Sequence, residues 1–325
     1  MWSYAYFDKK KKNLFLSRDR FGEKPLYYKV EKDLIYFGSD INYIISLSKK
    51  KKIYNEEKVY SFLANGFKSL FLDDKTFLKG INTLKPAHVL KVDINNNLKL
   101  MQYWKNTKKI TAKKISYKEA VNKTKKIISE EFKKRFRADF PIACLLSGGI
   151  DSTAISAHSI KNNNKLKYYS INSNNPNYNE KPRIDALCKK YFIKTNYVNM
   201  NQLKNYYFLE KIIGETNFPL SSISYLVYAH LNKKIKNDKY RVLLSGLGGD
   251  EIFGGYYTHH MNFLMSKIKN KRFNYFYNSW EKHVKPLIRS NILSNLEEYK
   301  NLYNSKDPLF HEKKEIEKYF SKKKL

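Results

Sequence analysis

Between residues 117 and 244 the hydrophobic period changes again and again, and that alternation leaves few folds open. Short strand-like runs, PIACLL at 141–146, LKYYSI at 166–171, KTNYV at 194–198 and RVLL at 241–244, are interleaved with helix-like stretches at 151–162, 180–192, 202–213 and 221–236. Ahead of them, residues 117–135 set Ala120, Val121, Ile127, Ile128 and Phe132 on one helical face. Strands that read as continuous apolar runs, each followed by a helix, belong to a parallel sheet buried under helices on its faces. An α/β domain is therefore expected over residues 115–325.

The N-terminal third has another texture. Residues 2–39 read as four aromatic and aliphatic runs, WSYAYF, LFLS, LYYKV and LIYFGS, separated by polar turns. They predict a meander of antiparallel strands. Helices are expected near 41–48 and 57–65, and a hairpin where HVLKVD and LKLMQYW flank Asn95, Asn96 and Asn97. A chain of 325 residues can bury two cores, so residues 1–104 form a separate β-rich domain, joined by a Lys-rich link at 105–114. The Lys-rich stretch at 313–324 reads as a solvated helix face or a frayed end, and no internal repeat is visible.

A formal charge of +33 raises nucleic acid as a partner. Only eight of the 63 basic residues are arginine, however, and the 55 lysines are spread along the whole length beside abundant Asn, Ile and Tyr. That is the imprint of A/T-rich coding, not of a phosphate-reading stripe, so no nucleic-acid partner is expected. No basic segment leads into a long apolar one, so neither a leader peptide nor a membrane span is expected. Two cysteines, Cys144 and Cys188, are too few for a disulfide framework and fit a cytoplasmic location. Cys144 falls in a buried strand and Cys188 on a helix, so both read as packed thiols.

The sharpest chemical signal is Ser147-Gly148-Gly149-Ile150-Asp151-Ser152, placed directly after one apolar run and directly before a helix. Ligands of parallel sheets bind beyond the carboxyl ends of strands, and a helix start offers free N–H groups to an anion. The two glycines let the backbone approach phosphate oxygens closely. Ser147 and Ser152 add hydroxyls, and Asp151 is a hard oxygen ligand suited to Mg²⁺. The loop reads as a pyrophosphate cradle with a metal handle. No Gly in the chain is followed by Lys and then Ser or Thr, which removes support for a Walker-type loop.

A second loop has the same build: Val242-Leu243-Leu244 opens into Ser245-Gly246-Leu247-Gly248-Gly249-Asp250-Glu251. If both loops leave adjacent strands at one rim, Asp151 and Asp250 can hold Mg²⁺ between them. Taken alone, Asp250 reads equally well as a first-turn helix acid.

SGGIDS, the later SGLGGDEIFGGY and the upstream RDRFGEKPLYY together resemble the glutamine-dependent asparagine synthetases; SGGIDS alone is shared with other ATP pyrophosphatases. The resemblance implies an adenine-nucleotide alpha hydrolase-like sheet preceded by the remnant of an N-terminal-nucleophile glutaminase domain. It runs to about residue 257. It implies that Leu146, Ser147, Gly148, Gly149, Asp151, Ser152, Ile171, Ser245 and Gly246 bind ATP, that Asp151 and Asp250 hold Mg²⁺, and that Asp151, Asp250 and Glu251 are the catalytic acids. On sequence alone Ile171 reads equally well as a core strand residue. In such enzymes a carboxylate, aspartate in the family, attacks the α-phosphorus of ATP and ammonia displaces AMP.

Three departures qualify what the resemblance implies. Family members carry a Cys nucleophile right after the initiator Met, whereas Trp2 follows Met1 here, so the chain is expected to start inside the glutaminase domain and not to hydrolyse glutamine itself. Asparagine-forming members usually carry Glu where this chain has Leu247, which leaves other acceptors open, including carboxylates of cell-surface sugars. The chain also stops before the family's later Lys-bearing stretch. An inactive fragment, a homodimer or a partner of a complementary chain remain alternatives. A lysidine-synthetase-like enzyme is disfavoured by residues 1–104.

Overall fold

A computed structural model of the chain describes residues 1–105, 115–162, 165–200, 206–222 and 224–305. The expected link at 106–114, the basic stretch at 313–324 and residues 202–205 of the expected 202–213 helix lie outside them. In chain order the elements are β1 (Ser3–Asp8), β2 (Asn13–Arg18), β3 (Tyr27–Glu31), β4 (Leu34–Gly38), α1 (Ile41–Ser48), α2 (Glu56–Asn65), β5 (Asn82–Thr83), β6 (His88–Val92) and β7 (Leu98–Gln102). They continue with α3 (Tyr117–Arg135), β8 (Ile142–Leu145), α4 (Ile150–Lys161), β9 (Lys167–Asn172), α5 (Lys181–Tyr191), β10 (Thr195–Asn199), α6 (Tyr206–Thr216) and α7 (Ser224–Asn237). The last are β11 (Val242–Leu244), α8 (Gly249–Phe253), α9 (Tyr257–Lys267), α10 (Phe273–His283), α11 (Asn291–Ser294) and α12 (Leu296–Ser305).

Two compact units result. One joins the N-terminal residues to α6 and the residues up to 222; the other holds α3 to β10 and α7 to α12. In the first, the four strands of residues 2–39 do not form one meander. β1 and β2 belong to a sheet ordered β1-β2-β6-β7, while β3 and β4 belong to a sheet ordered β4-β3-β5. The reason sits between β2 and β3. Asp19, 4% exposed, accepts the backbone N–H groups of Phe21, Glu23 and Lys24 and that of Trp2, tying a turn that carries the chain off the first sheet. Arg18 fastens the same turn, donating to the carbonyls of Gly22, Lys24 and Leu84. The free edge of β2 is taken by β6, and β6 pairs with β7 in the expected hairpin, in which Asp93 accepts from the N–H groups of Asn95 and Asn97. Leu16, Leu26, Tyr28, Leu84, Leu90 and Val92 form one core shared by both sheets. Phe218, beyond α6, packs with Ile41, Ile44, Leu78 and Ile81.

In the second unit all four strands are parallel, ordered β10-β9-β8-β11. Successive strand residues point to opposite faces. Cys144, Leu146 and Tyr168 accordingly pack with Ile155 of α4, Ile184 of α5 and Phe132 of α3, whereas Ala143 and Tyr169 pack with Leu231 and Ile235 of α7. Both faces are thus covered by helices, as expected. α9, α10 and α12 gather around Met261, Leu264, Trp280 and Tyr299. Cys144 is fully buried, which pushes its thiol up to about 12, and Cys188 is also raised by burial. None of the described helices is long and apolar enough to cross a membrane.

Candidate functional site

β8 lies between β9 and β11, so the chain leaves β8 toward one side of the sheet and returns on the other. Such a reversal opens a crevice at the carboxyl ends of the strands, because the connections depart to opposite sides. The crevice here has a volume of about 850 Å³ and is lined by both glycine loops.

The first loop is tied to itself. Leu146 donates its N–H to Tyr169 O (2.8 Å) and accepts from the Ser170 hydroxyl (2.7 Å), which fixes the strand end. The Ser152 hydroxyl, 4% exposed, accepts from Ser147 N–H (3.1 Å), donates to Ser147 O (2.8 Å) and lies 2.9 Å from Ser147 Oγ. α4 then starts at Ile150, and its first-turn N–H groups, which no helical carbonyl can reach, stand at the crevice. Neither Gly148 nor Gly149 has positive φ. Their role is spatial: a Cβ on Gly148 would fall 2.7 Å from Arg183 Cβ.

The second loop closes on the first. A Cβ on Gly246 would fall 2.8 Å from Asp151 Cβ and 3.1 Å from Ser152 N, and one on Gly249 would fall 2.6 Å from both Asp151 carboxylate oxygens. Only glycine permits this approach. Gly248, at φ +100°, supplies the left-handed residue that the turn into α8 requires. Asp250 and Glu251 occupy the first turn of α8, and Gly254 and Gly255 donate their N–H groups back to Asp250 O.

Electrostatics follow from this crowding. The Asp151 carboxyl is held above the usual carboxylate range, first by burial and then by the charges of Asp250 and Glu251. Glu251 is held below it, because Tyr256 Oη donates to its Oε1 at 2.7 Å. Every candidate residue named from the sequence lines the crevice: Leu146 to Gly149, Asp151, Ser152, Ile171, Ser245, Gly246, Asp250 and Glu251. Ile171 also packs with Ala143 and Tyr169, so it is a core residue as well. Sequence reasoning gave no role to Glu180, Arg183, Tyr228 and Tyr256, the last of them the end of the SGLGGDEIFGGY motif, and all four line the crevice too. A usable signal existed for Glu180 and Arg183, which open the helix after β9 and so lie above the same rim.

Residues 123–320 match the asparagine synthase family, well over half of the sequence. The chain belongs to that family. Residues 1–104 match the glutamine amidotransferase domain. The family match continues past residue 257, where recognisable motifs end, into the helices from α9 onward. Over 292 residues the chain is 29% identical to a protein of Methanocaldococcus jannaschii named for glutamine-hydrolysing asparagine synthetase, covering 83% of this chain and 52% of that one. It is 28% identical over 274 residues to asparagine synthetase [glutamine-hydrolyzing] 2 of Bacillus subtilis, covering 79% and 36%. With asparagine synthetase [glutamine-hydrolyzing] 3 of the same organism it shares 25% over 323 residues, covering 93% and 50%. The chain thus spans about half or less of the length of these relatives.

Proposed function

We propose that the chain binds Mg²⁺-ATP in the crevice of the parallel sheet, adenylates a carboxylate and transfers ammonia to it, forming an amide as in asparagine synthesis. The observation that carries this reading is the meeting of the two glycine loops, with Gly246 and Gly249 seated on Asp151. Leu146 to Ser152 and Ser245 to Gly246 border the nucleotide, and Ile171 offers an apolar wall for its base.

The residues present fit the metal. Four carboxylates, Asp151, Glu180, Asp250 and Glu251, line the crevice, and burial together with the charges of Asp250 and Glu251 disfavours the ionised form of Asp151, an effect that a cation opposes. No group of three or more His, Cys, Asp or Glu able to hold a metal exists among the described residues. Mg²⁺ needs no such cage, since it keeps several waters and takes one or two carboxylates plus phosphate oxygens. Asp151 and Asp250 would hold it. When bound, it would neutralise charge on the departing pyrophosphate. The remaining contribution of the protein is to position the carboxylate and the α-phosphorus for attack, with backbone donors already fixed in place.

Calorimetric titration with Mg²⁺-ATP tests the reading: wild type binds, and Asp151→Asn weakens binding at least tenfold. Equal binding by the variant refutes the site. Pyrophosphate exchange into ATP, stimulated by aspartate, tests the acceptor. Leu247, 77% exposed at the crevice, favours a second reading, because the resemblance places a Glu there in asparagine-forming members. In that reading another carboxylate, such as a sugar acid, stimulates exchange and aspartate does not.

A further inference from the structure

We propose that Arg183 is a phosphate-binding residue of this crevice, supplying the positive charge that holds the terminal phosphates of the nucleotide; this rests on the Mg²⁺-ATP reading above.

The charge balance of the crevice leads to it. Among its lining residues Asp151, Glu180, Asp250 and Glu251 are acidic, and Arg183 is the one cation. A triphosphate carries about four negative charges, more than a single Mg²⁺ cancels, and placed beside four carboxylates it needs a further fixed cation.

The placement of Arg183 is specific. It sits in the first turn of α5 on the rim beyond β9, and its Cβ, Cγ and Cδ lie against Gly148, within 2.7–3.5 Å of where a side chain there would begin. The aliphatic stem therefore runs along the phosphate loop, and the absent side chain of Gly148 makes room for it. Such a stem delivers a guanidinium to the mouth of the crevice while keeping it hydrated.

Among the described residues Arg137 is also without a side-chain partner, but it does not line the crevice; the remaining arginines mark the contrast. Arg18 is spent on backbone carbonyls, and Arg20, Arg241 and Arg272 lie over the rings of Trp104, Phe140 and Tyr275. Arg135 and Arg289 are also engaged. Among the described residues the Arg183 guanidinium has neither hydrogen-bond nor ion-pair partner, in a crevice built for an anion. A planar fork of donors suits phosphate oxygens bidentately, which a lysine cannot match.

The test is a titration series of ATP, ADP and AMP, each with Mg²⁺, against wild type, Arg183→Met and Arg183→Lys. Methionine keeps the stem on Gly148 and removes the charge. Expected is a five- to tenfold loss of ATP affinity in Arg183→Met, a smaller loss for ADP, none for AMP, and partial recovery in Arg183→Lys. Wild-type binding that Arg183→Met leaves intact overturns the role of Arg183 and spares the site. Equal losses for all three nucleotides overturn it as well, since they mark a structural defect. Absence of wild-type binding overturns the underlying nucleotide reading.

Discussion

Replacing Ser152 by alanine tests whether the first glycine loop is pre-organised by its own hydrogen bonds. The hydroxyl is the acceptor of Ser147 N–H and the donor to Ser147 O. Alanine leaves both unsatisfied in a place where the side chain was 4% exposed. An orphaned buried donor costs about 1–3 kcal/mol; since Ser147 is itself half-buried and water reaches part of the loop, about 1–2 kcal/mol is expected. Ser156 is the control: one turn further along α4 and 2% exposed, it donates to Ser152 O and meets the Cys144 thiol, holding no part of the loop. Because that carbonyl also sits within the helix, removing the Ser156 hydroxyl costs about 0.5–1 kcal/mol. Urea unfolding should give Ser152→Ala a lower midpoint at unchanged slope, and calorimetry should show weaker Mg²⁺-ATP binding because the loop must be ordered on binding. If Ser152→Ala is no less stable than Ser156→Ala and binds equally well, the loop is held by something else.

Asp19 is raised by burial but brought down to about 2 by four backbone N–H donors, against an ordinary value of 3.8. A carboxylate depressed in the folded state stabilises above its ordinary value, so about 2 kcal/mol is lost as pH falls from about 4 toward about 2. Asp19→Asn points an amide N–H at a donor, and its urea midpoint near neutral pH should drop while its dependence on pH in that window flattens. Gly249→Ala leaves the fold intact by circular dichroism but displaces the Asp151 carboxylate, and should weaken Mg²⁺-ATP binding at least tenfold. Gly214→Ala, on exposed α6 with nothing within 4 Å of the new Cβ, should instead raise stability by about 0.5–1 kcal/mol in the same urea assay.

Helices and parallel strands were readable because their apolar periods are local properties. α1 and α3 fall where periodicity placed them, at Ile41–Ser48 and Tyr117–Arg135. The N-terminal strands were readable one by one, but not their partners. Whether β3 follows β2 into the same sheet depends on Asp19 and Arg18 tying a turn, and on the distant β6 claiming the edge, neither of which leaves a periodic trace. The site shows the same division. Both glycine loops stand out in the sequence, yet the glycines are required for a reason that only the fold exposes: the loops press on each other and on Arg183. Tyr256 closes the SGLGGDEIFGGY motif, but its role was not legible because its partner Glu251 is known only once the α8 turn is built.

Asp151 offers a sharper test, because stability and binding should move in opposite directions there. Burial, with Asp250 and Glu251 nearby, disfavours its ionised form in the folded protein. A carboxyl whose folded pKa lies above its unfolded value costs stability at any pH above both, and that cost is relieved as pH falls through the folded value. Asn keeps the shape and removes the charge, so Asp151→Asn should unfold at higher urea than wild type at neutral pH, and the gap should close on acidification. The same substitution removes half of the ligand set expected to hold Mg²⁺. A residue that served only to cap α4 would behave otherwise, losing stability when neutralised because a first-turn acid is favoured by the helix dipole. A variant less stable than wild type and equal in nucleotide affinity would therefore assign Asp151 to the helix and not to a ligand.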